Sequence, residues 1–505
     1  MIPAPWRVLQ PALLSRWDTS ASMRDVRGTV PVSHTRFAFV VAATLVAVTA
    51  GAPAQTRVAQ APASVAAAVD QVFATWTADT PGCAVGVSVD GVPVLATAYG
   101  MADLEHDVRN TPDTIFEAGS VTKQFTAAAV LLLAKEGRLS LDDPARKYVP
   151  ELPDYGTPLT IRHMLHHMSG LRDWGSVEGI AGWPRTSREY THDHVLDIVS
   201  RQKALNFAPG ARYSYSNTGY NLAAIIVSRV SGMSFADFTQ QRIFLPLGMT
   251  HTSWRDDHTR IVKGRAVAYQ LSADGFHTDM PFENVYGNGG LLTTVGDLLK
   301  WNENFTTPVV GGTAFVAQQQ TPGLFSDGRA GTYAFGLVVG TYRGLRKVEH
   351  SGSTAGYRAH LSRFPEAHTS VAVLCNGSTA NATASADAVA DIYLADQMTS
   401  AAPRAVPAQP LPAAVAVSAA ELNEYVGDYW SDEAEVMFTA VVERGTLVLK
   451  RRPASVIALT PIGNDAFRGA MGTVTFRRDP AKRITGLSVS QERVFDLRFA
   501  RVAPK

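Results

Sequence analysis

The sequence predicts an α+β fold followed by a small all-β domain. Strand-like apolar segments stand both before and after a long, mainly helical middle region, which implies one sheet closed by distant segments of the chain. Residues 419–505 instead alternate short strands with Gly, Asp and Asn turns, a pattern typical of a small antiparallel barrel. We therefore expect one domain over 62–397, an Ala/Pro-rich linker over 398–418 and a β-barrel domain over 419–505.

The elements of the first domain have local signals of their own. A helix is expected around Ser64 to Trp76, followed by two strands that flank Asp90-Gly91, a dipeptide that favours the tight turn of a hairpin. The stretch GSVTKQFTAAAVLLLAKEG predicts the next helix, and LLTTVGDLLKW predicts another with a capping residue at its start. Strands return between about 333 and 376, and a last helix is expected over 380–397.

The chain has 505 residues, of which 46% are hydrophobic and 18% are charged, with a formal net charge of +1. This composition is typical of a globular protein, and the length suits two or three domains. With this charge balance, the sequence predicts neither a basic surface that binds nucleic acid nor a polybasic patch that binds a membrane. Cys83 and Cys375 stand in apolar strand-like segments, where we expect buried free thiols; one disulfide is the alternative in an oxidising compartment.

Residues 1–54 have the pattern of a leader with a secretory signal peptide. Three arginines precede the apolar run from Phe37 to Ala50, which is shorter than the roughly 20 residues of a membrane span, so we expect no stable span. The small-x-small pattern Ala52-Pro53-Ala54 predicts cleavage after Ala54 and a periplasmic or secreted mature protein. An uncleaved anchor is the alternative, and Met23 competes with Met1 as the start.

Ser120 and Lys123, one helical turn apart in GSVTKQFT, are the first candidate functional residues. At about 1.5 Å of rise per residue, the two side chains lie on the same face of a helix. The amine and the positive end of the helix dipole both favour an alkoxide-like nucleophile, which predicts covalent serine hydrolysis. Taken alone, the pair is more often a helix-capping serine followed by a solvated lysine.

Tyr215 and Asn217, in YSYSNTGYNL, stand two residues apart in an expected extended loop, where alternate side chains point the same way. A phenol beside a lysine can have a lowered pKa, so Tyr215 is a candidate for moving the serine proton to the leaving group. The Asn217 amide is a candidate donor to a substrate carbonyl. The alternative is a polar loop that leads into a helix with Asn217 as its N-cap.

A third group, His350-Ser351-Gly352-Ser353 in VEHSGSTAGY, is expected on a strand near the edge of the sheet. Glycine allows a substrate backbone to lie close to such a strand. His350 and Ser351 are candidates for binding a carboxylate or carbonyl, and the backbone N–H groups of Ser120 and Ser353 are candidates for an oxyanion hole. The alternative is a turn rich in small residues.

These three motifs, in this order, resemble the serine β-lactamase and penicillin-binding protein superfamily. The class C type is the most similar group; it includes D-alanyl-D-alanine carboxypeptidases, D-aminopeptidases and related esterases. IRHMLHHMSGLRDW and GNGGLLTTVGDLLKW also resemble segments of that group. Over about 65–397 the resemblance implies an antiparallel sheet flanked by helices, with an inserted all-helical lobe and the active site at the lobe boundary. Residues 419–505, with YVGDYW, resemble the lipocalin-like barrel of some D-aminopeptidase-type members.

The resemblance also implies roles for the candidate residues. Ser120 is then the acylated nucleophile, Lys123 and Tyr215 share the general-base role, and Asn217 orients the substrate amide. His350-Ser351-Gly352 stands where β-lactamases usually carry Lys-Thr-Gly. An imidazole captures a carboxylate more weakly than a lysine, and histidine here also occurs in members that act on D-amino-acid peptides and amides.

We therefore expect an enzyme that acts on a small-molecule or peptide substrate, of the cell-wall or D-amino-acid kind, with no cofactor and no metal. A class C-type β-lactamase is the alternative within the family. A sensor that is acylated without turnover and a catalytically silent scaffold are the alternatives of other classes. His163, His166 and His167 have metal-like helical spacing, but no carboxylate motif completes a zinc-protease pattern. The oligomeric state is left open.

Overall fold

A six-stranded antiparallel sheet organises the first part of the chain. The structure is a computed structural model that describes residues 62–185, 187–399 and 413–503. The strands of this sheet are β1 (Cys83–Val89), β2 (Val92–Tyr99), β3 (Val338–Tyr342), β4 (Leu345–Thr354), β5 (Tyr357–Phe364) and β6 (Thr369–Cys375). They follow the order β3-β4-β5-β6-β1-β2, so early and late segments of the sequence meet at the centre, as predicted. Asp90 and Gly91, both with positive φ, form the predicted turn between β1 and β2.

Helices cover both faces of this sheet. The helices among the described residues are α1 (Ala63–Val72), α2 (Lys123–Lys135), α3 (Ile161–Leu165), α4 (Trp174–Ala181), α5 (His192–Ser200), α6 (Asn217–Ser231), α7 (Phe235–Thr239), α8 (Val295–Glu303), α9 (Thr313–Gln319), α10 (Ala382–Leu394) and α11 (Ala419–Glu424). Val85 and Val87 of β1 pack in one apolar cluster with α1 and α10. Ala84 packs on the opposite face, in the cluster that contains Leu298 of α8. The alternation along β1 therefore divides the core into two layers.

The region between β2 and β3 is mainly helical and carries α2 to α9. It also contains short strand pairs, so the expected all-helical lobe is mainly but not entirely helical. In one of these pairs, Phe116–Glu117 is bonded to Leu291–Thr293, which gives the backbone just before Ser120 its hydrogen-bond partners. The pairs are Met101–Asp103 with Val108–Arg109, Leu291–Thr293 with both Phe116–Glu117 and Ser253–Trp254, and Tyr269–Ser272 with Gly275–Thr278.

The C-terminal part is a nine-stranded antiparallel sheet, as the alternating pattern predicts. Its strands are β7 (Gly427–Ser431), β8 (Val436–Glu443), β9 (Thr446–Arg451), β10 (Ser455–Ala458), β11 (Thr460–Gly463), β12 (Ala466–Gly469), β13 (Gly472–Arg478), β14 (Ile484–Gln491) and β15 (Val494–Arg501). The order is β10-β9-β8-β7-β15-β14-β13-β12-β11. The two edge strands, β10 and β11, are separated only by Leu459, so the sheet curls into a nearly closed barrel. The leader predicted at 1–54 and most of the predicted linker lie outside the described residues.

A buried ion pair joins the barrel to the first part of the chain. Arg172, in the loop before α4, and Glu433 of the barrel lie 3.0 Å apart, with 4% and 11% of their side chains exposed. Arg172 Nη2 also donates to the carbonyl oxygen of Phe495 at 2.9 Å. Removing one member of such a pair leaves an uncompensated buried charge, so this contact holds the two parts in one arrangement. The described residues of both parts belong to a single compact unit.

The two cysteines form a disulfide bond between the central strands β1 and β6. Cys83 and Cys375 stand directly opposite each other in this antiparallel pair, with Cα atoms 4.0 Å apart, and both are fully buried. The expectation of two buried free thiols is therefore wrong, and the alternative of one disulfide is correct. Each cysteine lies in an apolar strand as predicted, but only the register of the two strands brings the sulfur atoms together.

Reducing this disulfide is expected to lower the free energy of unfolding by about 2–4 kcal/mol. The reason is that the bond restricts the unfolded chain by linking residues 292 positions apart. Urea-induced unfolding with and without a reductant measures the effect. In a Cys83→Ala/Cys375→Ala variant, the matched control, the reductant should leave the midpoint unchanged. Two free thiols in the unfolded, unreduced protein would contradict the bond.

No single helix in the described part of the chain is both long and apolar enough to cross a bilayer. Helix α6 and the segment Phe235–Phe244 reach the required length and composition only as a pair, and the pair is bent by 82°. Most of α6 is buried within the protein.

Candidate functional site

Ser120 lies where a 3₁₀ turn runs into a buried helix. Gly119–Thr122 form the turn and α2 begins at Lys123, so Ser120 precedes the α-helix instead of opening it. The spacing still brings the two side chains together, with Lys123 Nζ 3.0 Å from Ser120 Oγ. The interpretation as a capping serine with a solvated lysine is wrong, because Lys123 is fully buried and Ser120 does not cap α2.

Three polar atoms surround the Lys123 amine. Besides Ser120 Oγ, Nζ lies 2.9 Å from Asn217 Oδ1 and 2.7 Å from the carbonyl oxygen of Asn288. These two oxygens only accept hydrogen bonds, so they take two N–H bonds of the amine. A neutral amine then has its lone pair free for the hydroxyl hydrogen of Ser120. An ammonium that donates to all three oxygens satisfies these contacts, and a neutral amine that accepts from Ser120 satisfies them as well.

Burial of Lys123 favours the neutral amine. Loss of solvation lowers the pKa of Lys123 well below its ordinary value of 10.5, and Asp173 opposes this shift only in part. The positive charges of Arg185 and Arg493 lower the pKa further. A lowered pKa makes a neutral Lys123, which is able to accept a proton, easier to form.

Tyr215 lies beside both Ser120 and Lys123. Lys123 Nζ is 4.7 Å from the centroid of the Tyr215 ring, and the Tyr215 hydroxyl hydrogen-bonds with Ser120. The expected lowering of the phenol pKa is wrong: burial raises the pKa of Tyr215, and the Ser120 hydrogen bond and the charge of Arg493 oppose this only in part. Tyr215 therefore keeps its proton.

Asp173 and His167 fix the loop that carries Tyr215 and Asn217. Asp173 Oδ2 accepts from the backbone N–H of Asn217 at 2.7 Å, while its Oδ1 caps α4. His167 Nδ1 accepts from the backbone N–H of Ser216 at 3.2 Å, and its ring lies 4.2 Å from the Tyr215 ring. One carboxylate and one imidazole thus hold the two side chains toward Ser120.

Asn217 is the first residue of α6 and not its N-cap, a position that belongs to Ser216. Its side-chain oxygen accepts from Lys123, so its amide nitrogen is turned elsewhere. Among the described residues no acceptor pairs with that NH2 group, and Asn217 lines the cleft. The arrangement leaves the group available to a substrate carbonyl.

His350 lies in the cleft as a neutral imidazole. Its Nδ1 is 2.6 Å from the carbonyl oxygen of Ser351, and its Nε2 is 2.8 Å from the Tyr333 hydroxyl. Because a carbonyl only accepts, Nδ1 carries the proton and Nε2 accepts from Tyr333. Burial, with the nearby Lys123, lowers the pKa of His350 to about 3. His350 therefore offers no charge to a carboxylate at neutral pH.

Strand β4 lies directly against the turn that carries Ser120. A Cβ atom added to Gly352 would lie 2.1 Å from the carbonyl oxygen of Ala118, so a side chain there would collide with the turn. Ser351, Gly352 and Ser353 line the same cleft as Ser120. The backbone amides of Ser120 and Ser353, predicted as an oxyanion hole, thus belong to adjoining segments.

The cleft at Ser120 has a volume of about 690 Å³ and is lined by three arginines, Arg185, Arg358 and Arg493. No acidic side chain lines it in the described part of the chain. Arg185 is paired with Glu283, with Nε 3.0 Å from Oε2, while Arg358 Nη1 donates to two backbone carbonyls. The cleft is therefore cationic.

Arg493 enters the cleft from the barrel, in the turn between β14 and β15. Its carbonyl oxygen accepts from the backbone N–H of Asp173 at 3.3 Å and from the Asn206 side chain at 3.1 Å. Its guanidinium carbon lies 4.8 Å from the centroid of the Tyr215 ring. The barrel therefore forms part of the wall of the cleft.

A buried ion pair supports the loop that contains Asn288. Glu117 and Arg255 make two contacts, of 2.8 and 3.0 Å, and at most 1% of either side chain is exposed. Glu117 also accepts from the backbone N–H of Gly290 at 3.2 Å. The GNGG run at 287–290 thus forms part of the support of Lys123.

The three histidines of HMLHH have separate structural partners. His163 forms the capping box of α3, and His166 Nδ1 lies 3.1 Å from the carbonyl oxygen of Tyr333. His167 binds the loop of Tyr215, as described above. Their metal-like spacing is therefore explained by three different local contacts.

Two groups of acidic and imidazole side chains in the described ranges have atoms close enough together to hold a cation. They are Asp103, Glu105 and His106, and Glu349, His360 and Asp387. In the second group, the Lys347 ammonium already pairs with both carboxylates. Neither group lines the cleft at Ser120.

Asp173, Asn288 and Arg493 belong to the site but were not among the predicted site residues. Asp173 has a sequence signal, an aspartate directly before a helical Trp174, as expected of an N-cap. The sequence signal for Asn288 is weaker and consists of the glycines around it. Arg493 has no sequence signal, because it belongs to a turn of another sheet.

The sequence matches the Beta-lactamase family over residues 64–396. The chain is similar to the D-aminopeptidase of Gluconobacter oxydans, with 31% identity over 314 residues, 61% of this chain and 58% of that protein. It is also similar to the D-aminopeptidase of Brucella ovis, with 29% identity over 299 residues, 59% of this chain and 56% of that protein. The chain therefore spans little more than half the length of these curated relatives.

Solved structures share the fold. The octameric penicillin-binding protein homologue from Pyrococcus abyssi is similar with a TM-score of 0.58 and 26% identity, over 87% of this chain and 99% of that one. The 87% of this chain that is covered is more than residues 62–397 make up. The D-amino acid amidase from Ochrobactrum anthropi is similar in fold, with a TM-score of 0.57 and 23% identity, over 66% of this chain and 99% of that one.

Proposed function

The chain belongs to the Beta-lactamase family, and we propose that it is a serine hydrolase that cleaves amide or ester bonds, chiefly of D-amino-acid amides and peptides, through an acyl-enzyme. The observation that carries this proposal is the arrangement at Lys123. Its buried amine has two acceptors, Asn217 and Asn288, and one hydroxyl, Ser120, within hydrogen-bond distance. This is the arrangement that a neutral general base needs beside a serine nucleophile.

Acylation starts with the proton of Ser120. The hydroxyl gives this proton to Lys123 Nζ while Oγ bonds to the substrate carbonyl carbon. The ammonium that forms is stabilised by Asn217 and Asn288, which accept its N–H bonds. The negative charge on the former carbonyl oxygen is stabilised by the backbone N–H groups of Ser120 and Ser353.

Tyr215 acts on the leaving group. Its phenol is protonated, so it gives a proton to the leaving nitrogen or oxygen as the bond to carbon breaks. The Lys123 ammonium then returns a proton to Tyr215, which restores both groups for the next step. Water repeats the sequence on the acyl-enzyme: Lys123 accepts the proton of water, and Tyr215 gives a proton to Ser120 Oγ as the ester bond breaks.

Two observations support amides and peptides of D-amino acids as substrates. The similar proteins of Gluconobacter oxydans and Brucella ovis are D-aminopeptidases. His350 is neutral at a position where β-lactamases usually carry a lysine, which makes electrostatic capture of a β-lactam carboxylate at this residue weak. Carboxypeptidase and esterase activities are finer forms of the same proposal, and both leave the roles of Ser120 and Lys123 unchanged.

We further propose that the enzyme works in the periplasm or outside the cell. The signal-peptide pattern at 1–54 supports this. The disulfide between Cys83 and Cys375 supports it independently, because such bonds persist mainly in oxidising compartments.

The pH dependence of kcat/KM, followed between about pH 5 and pH 9, is expected to show a rising limb from Lys123. Activity should rise with pH as the ammonium loses its proton, with a midpoint well below 10.5. His350, with a pKa of about 3, stays neutral throughout, and Tyr215, with a raised pKa, stays protonated. Rates for p-nitrophenyl acetate, which has no amine of its own to titrate, give the profile. If the profile contained a titration near the ordinary histidine pKa, and His350→Gln removed it, the assignment of the profile to Lys123 would be contradicted.

Substrate profiling with detection of the acyl-enzyme tests the proposed function. The mature protein is assayed with D-alanine p-nitroanilide, its L-enantiomer, nitrocefin and p-nitrophenyl acetate, and the intact mass is measured during turnover. We expect preference for the D-anilide and an acyl group on the peptide that contains Ser120. A burst without steady-state release would indicate a sensor instead, and the absence of any covalent adduct would indicate a silent scaffold.

A further inference from the structure

The arginine that the barrel contributes to the cleft has no assigned role in the chemistry above. We propose that Arg493 binds a carboxylate on the leaving group of the substrate, so that the barrel selects bonds whose cleavage releases a free amino acid or a short peptide acid. The inference rests on the proposed hydrolase activity and narrows its substrate class.

The guanidinium of Arg493 differs from the other two in the cleft by its lack of a partner. Arg185 is held by Glu283, and Arg358 donates to two backbone carbonyls. Within the described ranges, no carboxylate pairs with the Arg493 guanidinium and no oxygen accepts a hydrogen bond from it; its contact is with the face of the Tyr215 ring. A half-buried cation with unused donors favours an anionic ligand, and its planar fork suits a carboxylate.

The position of Arg493 indicates which part of the substrate it meets. Tyr215 is the proposed proton donor to the leaving group, so the leaving nitrogen lies next to its hydroxyl. In a peptide with a free C-terminus, the carboxylate is one carbon atom away from that nitrogen. An arginine 4.8 Å from the centre of the Tyr215 ring is therefore placed beside the leaving group rather than beside the acyl group.

The other cations of the cleft are already engaged: Arg185 is paired with Glu283, and Arg358 donates to two backbone carbonyls. His350, with a pKa of about 3, is uncharged at neutral pH. In the described part of the chain the cleft has no acidic side chain that would repel a carboxylate. The charge supplied by a lysine in Lys-Thr-Gly enzymes is thus supplied here from a different domain and a different direction.

The turn that carries Arg493 is fixed on both sides. The Asn206 side chain donates to the carbonyl oxygen of Arg493 and accepts from the backbone N–H of Phe495 at 2.8 Å. Asp173, which also binds the backbone of Asn217, donates its own N–H to Arg493. The backbone of Arg493 is therefore fixed relative to the proposed catalytic loop, which limits the positions that its guanidinium can occupy.

A matched pair of substrates tests the inference. D-Alanyl-D-alanine and D-alanyl-D-alaninamide differ only in the carboxylate of the leaving group, and the release of D-alanine or D-alaninamide is followed in each case. We expect the wild-type protein to prefer the acid, and Arg493→Gln to lower the acid-to-amide ratio of kcat/KM by about 10- to 100-fold, mainly through KM. Arg493→Lys should restore part of the ratio. Arg483→Gln, at an exposed barrel arginine paired with Asp479, is the control and should leave the ratio unchanged.

The ratio separates recognition from folding, because a loss of folded protein lowers both rates equally. An equal loss with both substrates in Arg493→Gln would overturn the inference and assign Arg493 to the support of Tyr215. A wild-type protein that hydrolyses D-alanine p-nitroanilide but shows no preference for the acid, or cleaves neither dipeptide, would also overturn it. An effect seen only with D-glutamyl against D-glutaminyl anilides would move the carboxylate to the acyl side and refute the leaving-group assignment. If the wild-type protein hydrolyses none of these compounds, the proposed function itself fails.

Discussion

Ser120→Ala is expected to abolish amide hydrolysis, with a loss of about 10⁴-fold or more in kcat, and to prevent acylation. The substitution removes the hydroxyl oxygen that lies 3.0 Å from the Lys123 amine and leaves the surrounding backbone unchanged. Alanine fits the half-buried position without adding volume, so the fold should be retained. Steady-state rates with a D-aminoacyl anilide and intact mass after treatment with a fluorophosphonate probe measure the two effects.

Ser351→Ala is the matched control for this experiment. Ser351 lies in the same cleft, on β4, so this variant removes a different serine hydroxyl from the same site. The variant should still gain the mass of the probe on the peptide that contains Ser120, even if more slowly. A probe adduct on that same peptide in Ser120→Ala would show that another residue is the nucleophile.

Lys123→Met is expected to slow acylation by about 10³-fold, because general-base catalysis by a positioned side chain contributes about 10²- to 10⁴-fold. Methionine matches the length of the buried stem and removes only the amine. Ser120 then has no group within reach to take its proton at the moment of attack, although Tyr215 and the oxyanion donors remain. The burst phase with a p-nitrophenyl ester gives the acylation rate directly.

Lys135→Met controls for the loss of a lysine from the same helix. Lys135 is exposed at the far end of α2 and donates to the carbonyl oxygen of Gly311. Its replacement should leave acylation unchanged, and thermal unfolding of both variants reports any loss of fold. An acylation rate in Lys123→Met within tenfold of the wild-type rate would remove Lys123 from the mechanism.

Local sequence patterns predict much of this molecule because they depend on neighbours within a few residues. Asp90-Gly91 is sufficient for the hairpin of β1 and β2, and the apolar alternation after residue 418 is sufficient for a β domain. The contact of Ser120 with Lys123 survives even the change from α-helix to 3₁₀ turn, because a three-residue spacing keeps two side chains on one face in either geometry.

The features that local patterns miss depend on distant segments. The bond between Cys83 and Cys375 requires the register of two strands that lie far apart in sequence. The pKa of Tyr215 depends on burial by the whole lobe, which outweighs the neighbouring lysine that the sequence suggests as the dominant influence. Arg493 reaches the cleft only because a barrel turn docks on Asp173 and Asn206, and no motif around it signals this.

The position of β1 between β2 and β6 makes completion of the sheet depend on a long-range contact. The hairpin of β1 and β2 is local, but the pairing of β1 with β6 closes a loop in which Cys83 and Cys375 are 292 residues apart. Contacts of such long range slow folding, because the loop between them has to close before they form. The disulfide keeps the two ends of this loop together in the unfolded chain. We therefore expect the oxidised chain to refold faster than the reduced chain.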